Sequence, residues 1–146
     1  MMKLKVLLLE DDHSQRQDIR DMLEEEFHAS VEVRSSEWEF LSKWDQMLKE
    51  PPDFAILDVM VCWAKPTREQ TETPEEAKHP DTAGLRCAQK IRSTPETGNV
   101  KVILYSVLSQ EEDFGMPVPE GVDVVVKEAD FEDLIEAIRN SLGQPA

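Results

Sequence analysis

The 146-residue chain is poor in cysteine (two), glycine (five) and tyrosine (one), and its 16 lysines and arginines are outnumbered by 31 aspartates and glutamates. Each scarcity removes a class of protein. Cys62 and Cys87 are too few for a disulfide framework and lack metal-ligand spacing, which fits a reducing compartment. A formal net charge of −15 argues against a nucleic-acid ligand, because such binders need positive surface to displace counterions. The longest uninterrupted apolar stretch, Val59 to Ala64, falls far short of the roughly 20 residues that span a bilayer, and no secretory pattern precedes Leu4. These absences predict one cytoplasmic domain over 1–146, long enough to bury a single core.

What is present is a repeating alternation of strand and helix. Leu4, Val6, Leu7, Leu8 and Leu9 form a nearly continuous apolar run, the pattern of a strand buried on both faces, and it stops at Glu10-Asp11-Asp12. Ser14 and Gln17 read as a capping box, with Ile19, Met22, Leu23 and Phe27 continuing a helix over about 14–27. Val31 to Arg34 is a short second strand. Trp38, Leu41, Trp44 and Leu48 then mark one amphipathic helix halted by Pro51-Pro52. Phe54 to Leu57 is a third buried strand ending at Asp58. A polar stretch over about 61–82, with Pro66, Pro74 and Pro80, offers no core face and reads as an irregular insertion. Helical spacing resumes at Leu85, Ala88 and Ile91, and a fourth strand runs from Val100 to Tyr105-Ser106. Ser109 and Glu112 can cap one turn of a shortened helix before Gly115, Pro117, Pro119 and Gly121. Val122 to Val126 is a fifth strand ending at Lys127, and Phe131 to Leu142 line a last helix stopped by Gly143.

Alternating strands and helices predict an α/β fold, a doubly wound five-stranded parallel sheet with right-handed crossovers. The flavodoxin-like order 2-1-3-4-5 is common for five strands, and its ligands bind beyond the carboxyl ends of the strands. In that order Glu10, Asp11, Asp58, Ser106 and Lys127 all follow neighbouring strands, so they converge on one cleft.

Three carboxylates in one cleft require a counter-charge. Oxygen donors suit Mg²⁺, which keeps several waters and commonly bridges protein to phosphoryl groups. Asp11 and Asp58 are assigned as direct ligands, the carbonyl of Met60 as a third, and Glu10 as a ligand acting mostly through water. Lys127 supplies a point charge for a phosphoryl oxygen, and Ser106 a hydroxyl donor.

In these motifs the sequence resembles the receiver domain of two-component response regulators. Leu8-Leu9-Glu10-Asp11-Asp12 resembles the acidic turn, Ala55-Ile56-Leu57-Asp58-Val59-Met60 the phosphoacceptor strand, Leu104-Tyr105-Ser106 the hydroxyl position and Val125-Val126-Lys127 the lysine. The match runs from about Leu4 to Leu142. The resemblance implies that Asp58 accepts a phosphoryl group from a phosphohistidine on a sensor histidine kinase or histidine phosphotransfer protein, with Ser106 and Lys127 drawn toward the new oxygens. It implies a signalling switch or phosphorelay module rather than an enzyme turning over substrate, acting on a downstream protein target.

Several residues depart from the family pattern. Val61-Cys62 and the insertion precede the matching Gly84, Glu128 rather than proline follows Lys127, and Val124 stands where many receivers carry a switch aromatic. These departures support an alternative, a pseudo-receiver serving as a phosphate-independent interaction module. A phosphatase of the aspartate-nucleophile kind is disfavoured because Met60 stands where such enzymes carry a second aspartate. Apolar Met60 and Leu108, two residues past the aspartate and the hydroxyl, predict slow hydrolysis of an acyl phosphate. Asp12 fits helix capping as well as metal binding. Cys62 reads as a buried or incidental thiol rather than a redox sensor, His13 and His79 as surface residues, and Trp38 and Trp44 as core and rim packing. Trp63 is equally a partner anchor or a cover for the cleft, and Glu69, Glu72, Glu75 and Glu76 read as a solvated loop.

Overall fold

The computed structural model describes residues 3–64, 82–107, 117–127 and 130–143. Five parallel strands, β1 (Lys5–Leu9), β2 (Ser30–Arg34), β3 (Phe54–Leu57), β4 (Lys101–Ser106) and β5 (Val122–Val126), form one sheet in the order β2-β1-β3-β4-β5. The expected flavodoxin-like arrangement is therefore present, with the insertion following β3. Helices α1 (His13–Phe27), α2 (Glu37–Ser42), α3 (Trp44–Lys49), α4 (Ala83–Ser93) and α5 (Glu132–Ser141) make the connections described by the structure.

The unbroken apolar runs in the strands follow from burial on both faces. Leu7, Leu9, Ala55 and Leu57 point to one core layer with Phe40, Met47, Ala88 and Ile91, whereas Val6, Leu8, Phe54 and Ile56 point to the other with Ile19, Leu23, Leu134 and Ile138. Period-two alternation along each strand thus feeds two cores from one hydrophobic run.

Two sequence expectations need correction. Asp12, not Ser14, caps α1: its side chain accepts from the Gln15 backbone N–H at 2.9 Å, and the helix starts at His13. Asp12 therefore performs the capping role. The expected single second helix is two helices, broken at Lys43, whose φ of −104° and ψ of 16° leave the helical range. The break rephases the buried face. Phe40 and Met47 enter the core, and Leu41, expected on the apolar face, is exposed. Trp44 packs against Phe40 with ring centroids 5.6 Å apart and lies beneath the Lys90 ammonium. The anticipated short helix at 109–112, together with Leu108, His79, Glu128 and the insertion's central residues 65–81, lies outside the described residues.

Candidate functional site

The carboxyl ends of β1, β3, β4 and β5 are brought into register by backbone hydrogen bonds that continue just past the strands. Glu10 N–H donates to Arg34 O at 3.0 Å, Asp58 N–H to Leu9 O at 2.9 Å, and Lys127 N–H to Ser106 O at 2.7 Å. These bonds fix the starting points of the side chains that sequence reasoning brought together. Glu10, Asp11 and Asp58 each offer a carboxylate oxygen within 4.8 Å of the others. Lys127 Nζ lies 2.9 Å from Asp58 Oδ2 and 2.9 Å from Glu10 Oε1. Ser106 is fully buried at the end of β4.

The burial gradient across the cluster sets its electrostatics. Glu10 is 1% exposed, the Asp58 side chain 14%. Burial pushes the Glu10 carboxyl up to about 8, and the neighbouring Asp58 adds to the rise, outweighing the pull of Lys127. For Lys127, burial works against the charged ammonium, but the hydrogen bond to Glu10 and the charges of Asp58 and Glu10 overcome it and its affinity for the proton is raised. The charged form of Lys127 is thereby favoured, while burial favours the protonated form of Glu10.

The chemistry of the donor set suits a hard cation such as Mg²⁺. All three side chains supply hard oxygen ligands, and Glu10 Oε2 is a buried oxygen without a hydrogen-bond partner among the described residues. A cation would give that oxygen a partner. The residues fit the ion. Asp12, engaged in capping, is not among the clustered acids.

Three features of the site escaped sequence reasoning. Cys62, read as incidental, donates its backbone N–H to Asp11 Oδ2 at 3.0 Å, so the residues just after β3 hold the acidic turn. Cys62 O and Trp63 O in turn accept from Glu37 N–H and Trp38 N–H, the first amides of α2, at 3.0 and 2.7 Å. Gln15, on the first turn of α1, accepts a third hydrogen bond from Lys127 Nζ, at 2.7 Å. None carries a sequence signal beyond proximity to the acidic turn. Met60 and Val107 are exposed on the rim, and Met60 N–H reaches Asp58 Oδ1 at 3.3 Å. Trp63 is half-buried beside α2, and Val124 packs on a core layer.

Gly84 completes the frame. It opens α4, its N–H donates to Val59 O at 2.9 Å, and a Cβ there would fall onto the Asp58 carbonyl oxygen and 2.7 Å from Val59 Cα. Only glycine permits this approach of helix to strand.

Comparisons with solved structures now decide the fold. A CheY-like response regulator receiver domain protein from Methanospirillum hungatei is 21% identical, covers 97% of this chain and 95% of its own, and superposes with a TM-score of 0.69. This chain has the receiver-domain fold. The receiver domain of a DNA-binding response regulator from Colwellia psychrerythraea is 20% identical over 97% of this chain and 100% of its own, with a TM-score of 0.65. Chemotaxis response regulator CheY4 of Vibrio cholerae is 19% identical over 95% and 98%, also at 0.65. No protein-family model matches the sequence, and no curated protein matches it. At these identities it is the receiver fold, not a shared activity, that is established. Among the described residues no helix is long and apolar enough to cross a membrane.

Proposed function

We propose that this receiver fold acts as a phosphoacceptor switch in a two-component pathway, taking a phosphoryl group onto Asp58 from a phosphohistidine of a sensor histidine kinase or phosphotransfer protein. The observation that carries this reading is Lys127 Nζ, 2.9 Å from Asp58 Oδ2, beside two further carboxylates that follow β1, the neighbour of β3. A half-buried ammonium held over one carboxylate neutralises charge where a phosphoryl group would arrive.

Asp11 and Asp58 are the direct ligands of Mg²⁺ in this reading, with the Met60 carbonyl as a third and Glu10 acting mostly through water. When bound, Mg²⁺ offsets the negative charge of the phosphoryl oxygens. Asp58 contributes the nucleophile. A carboxylate oxygen forms a bond to phosphorus as the phosphorus–nitrogen bond of the phosphohistidine breaks, and the released electron pair stays on the imidazole nitrogen, which then takes a proton. Lys127 follows the charge to a phosphoryl oxygen, and the Ser106 hydroxyl donates to another. Met60, exposed and apolar at the rim, orients no water by hydrogen bonding, so the acyl phosphate hydrolyses slowly.

Intact-mass measurement after incubation with Mg²⁺ and phosphoramidate tests the reading. One phosphate adduct in the wild type and none in Asp58→Asn is expected. No adduct in either overturns it and favours the pseudo-receiver, a phosphate-independent interaction module.

A further inference from the structure

The Lys127 ammonium has three N–H bonds and three acceptors: Glu10 Oε1 at 2.9 Å, Asp58 Oδ2 at 2.9 Å and Gln15 Oε1 at 2.7 Å. An ammonium can only donate, so the amide face toward Lys127 is necessarily the oxygen. Gln15 sits three residues after the helix cap Asp12, the position from which a glutamine ordinarily reaches back to the cap's own backbone N–H. Here the side chain instead reaches a residue 112 positions away in the chain.

From this geometry we propose that Gln15 is a positioning residue that holds Lys127 over Asp58 throughout phosphoryl transfer. The inference rests on the phosphoacceptor reading above. The other two acceptors have competing tasks in that reading: Glu10 faces the cation, and Asp58 loses its charge when its oxygen is esterified. Gln15 alone is free of both. Its amide is neutral, so it anchors the ammonium without repelling an incoming phosphoryl group, which a carboxylate at the same place would do. It also stands on the first turn of a 15-residue helix whose Ile19, Met22 and Leu23 are buried, a rigid platform at the mouth of the site.

A Gln15→Met substitution keeps the length and removes the acceptor at an exposed position. The expected result is a phosphorylation rate constant from phosphoramidate lowered about tenfold, the size of one lost charge-assisted hydrogen bond. The loss falls on the rate at saturating donor rather than on apparent donor affinity, and Mg²⁺ affinity changes by less than about twofold. In a Lys127→Met background the same change lowers the rate by less than about twofold, because the residue it acts through is gone. Equal losses in both backgrounds, or none in the wild type, overturn the proposal. Nitrogen-15 NMR of the Lys127 ammonium gives a second readout independent of phosphorylation: Gln15→Met should speed its hydrogen exchange several-fold. If the wild type takes up no phosphate the phosphoacceptor reading fails by itself, and unchanged ammonium exchange then also overturns the role of Gln15.

Discussion

Glu10 is the residue at which burial and function meet. Its carboxyl is 1% exposed with one oxygen unpartnered among the described residues, and burial, aided by Asp58, pushes it up to about 8. The sign of the linkage follows. A group whose folded-state value is raised above the unfolded 4.5 contributes stability that is complete below about pH 4.5 and lost as pH climbs through about 8. A nearby dication favours the ionised form, so Mg²⁺ binding should draw the Glu10 proton off. Calorimetric titrations in buffers of different ionisation enthalpy should show close to one proton released per ion at pH 6.5, with affinity rising by up to about a decade per pH unit before levelling above about pH 8. Glu10→Gln should abolish both the release and the slope. A pH-independent affinity in the wild type would mean Glu10 is already ionised. Sequence reasoning placed Glu10 at the site because it follows β1, but nothing in the order of residues announces that it is more deeply buried than Asp11, which follows it. That difference arises from the packing of neighbouring strands.

At the scale of elements, α4 is held by two contacts far apart in sequence. Gly84 lies against the backbone of Asp58 and Val59, and Arg86 forms a bidentate pair with Glu37 on α2, at 2.7 and 2.8 Å, while also donating to Thr82 Oγ1. Gly84→Ala forces a methyl group into backbone, an overpacking cost of about 1–3 kcal/mol or roughly 3–10 °C in melting temperature. Because the backbone that must move carries Asp58, phosphate uptake should fall with stability. A variant that melts normally and phosphorylates normally refutes the close approach. Glu37 is nearly inaccessible, its side chain 5% exposed, so Arg86→Ala leaves a buried carboxylate alone and should cost about 3 kcal/mol in urea unfolding. The double change Glu37→Met with Arg86→Met should recover most of that loss, since an apolar pair removes the stranded charge. The glycine was legible in the sequence only through the family resemblance, as the matching Gly84 after the insertion. The ion pair was not, because nothing local links Glu37 to Arg86. The break at Lys43 was also hidden: Trp38, Leu41, Trp44 and Leu48 satisfy a continuous helical period, and only packing of Phe40 and Met47 selects the broken form.

At the scale of the whole molecule, the site was legible because a parallel sheet sends every strand's carboxyl end to the same edge, so residues dispersed from Glu10 to Lys127 needed only the strand order to be gathered. Alternation of elements and buried runs gave the parallel doubly wound class, and the strand order was taken from the arrangement common for five strands. Gln15 and Cys62 escaped because their contacts are set by how α1 and the segment after β3 lie over that edge, which periodicity does not encode. The same edge sits in the field of the entire chain. The chain's formal charge of −15 includes a cluster of three acidic groups against one ammonium, so both the cluster and the more distant acids attract a dication. The two contributions separate with salt, because distant charges are screened beyond roughly 10 Å at about 0.1 M ionic strength whereas contacts within the partly buried cluster are screened much less. Raising sodium chloride from about 20 mM to about 300 mM should therefore weaken Mg²⁺ binding several-fold without abolishing it, and should raise the melting temperature of the metal-free protein as self-repulsion is screened. An affinity that does not respond to salt would assign the attraction to Glu10, Asp11 and Asp58 alone, and a fall in melting temperature would show that attractive ion pairs, not the excess of acid, dominate the surface.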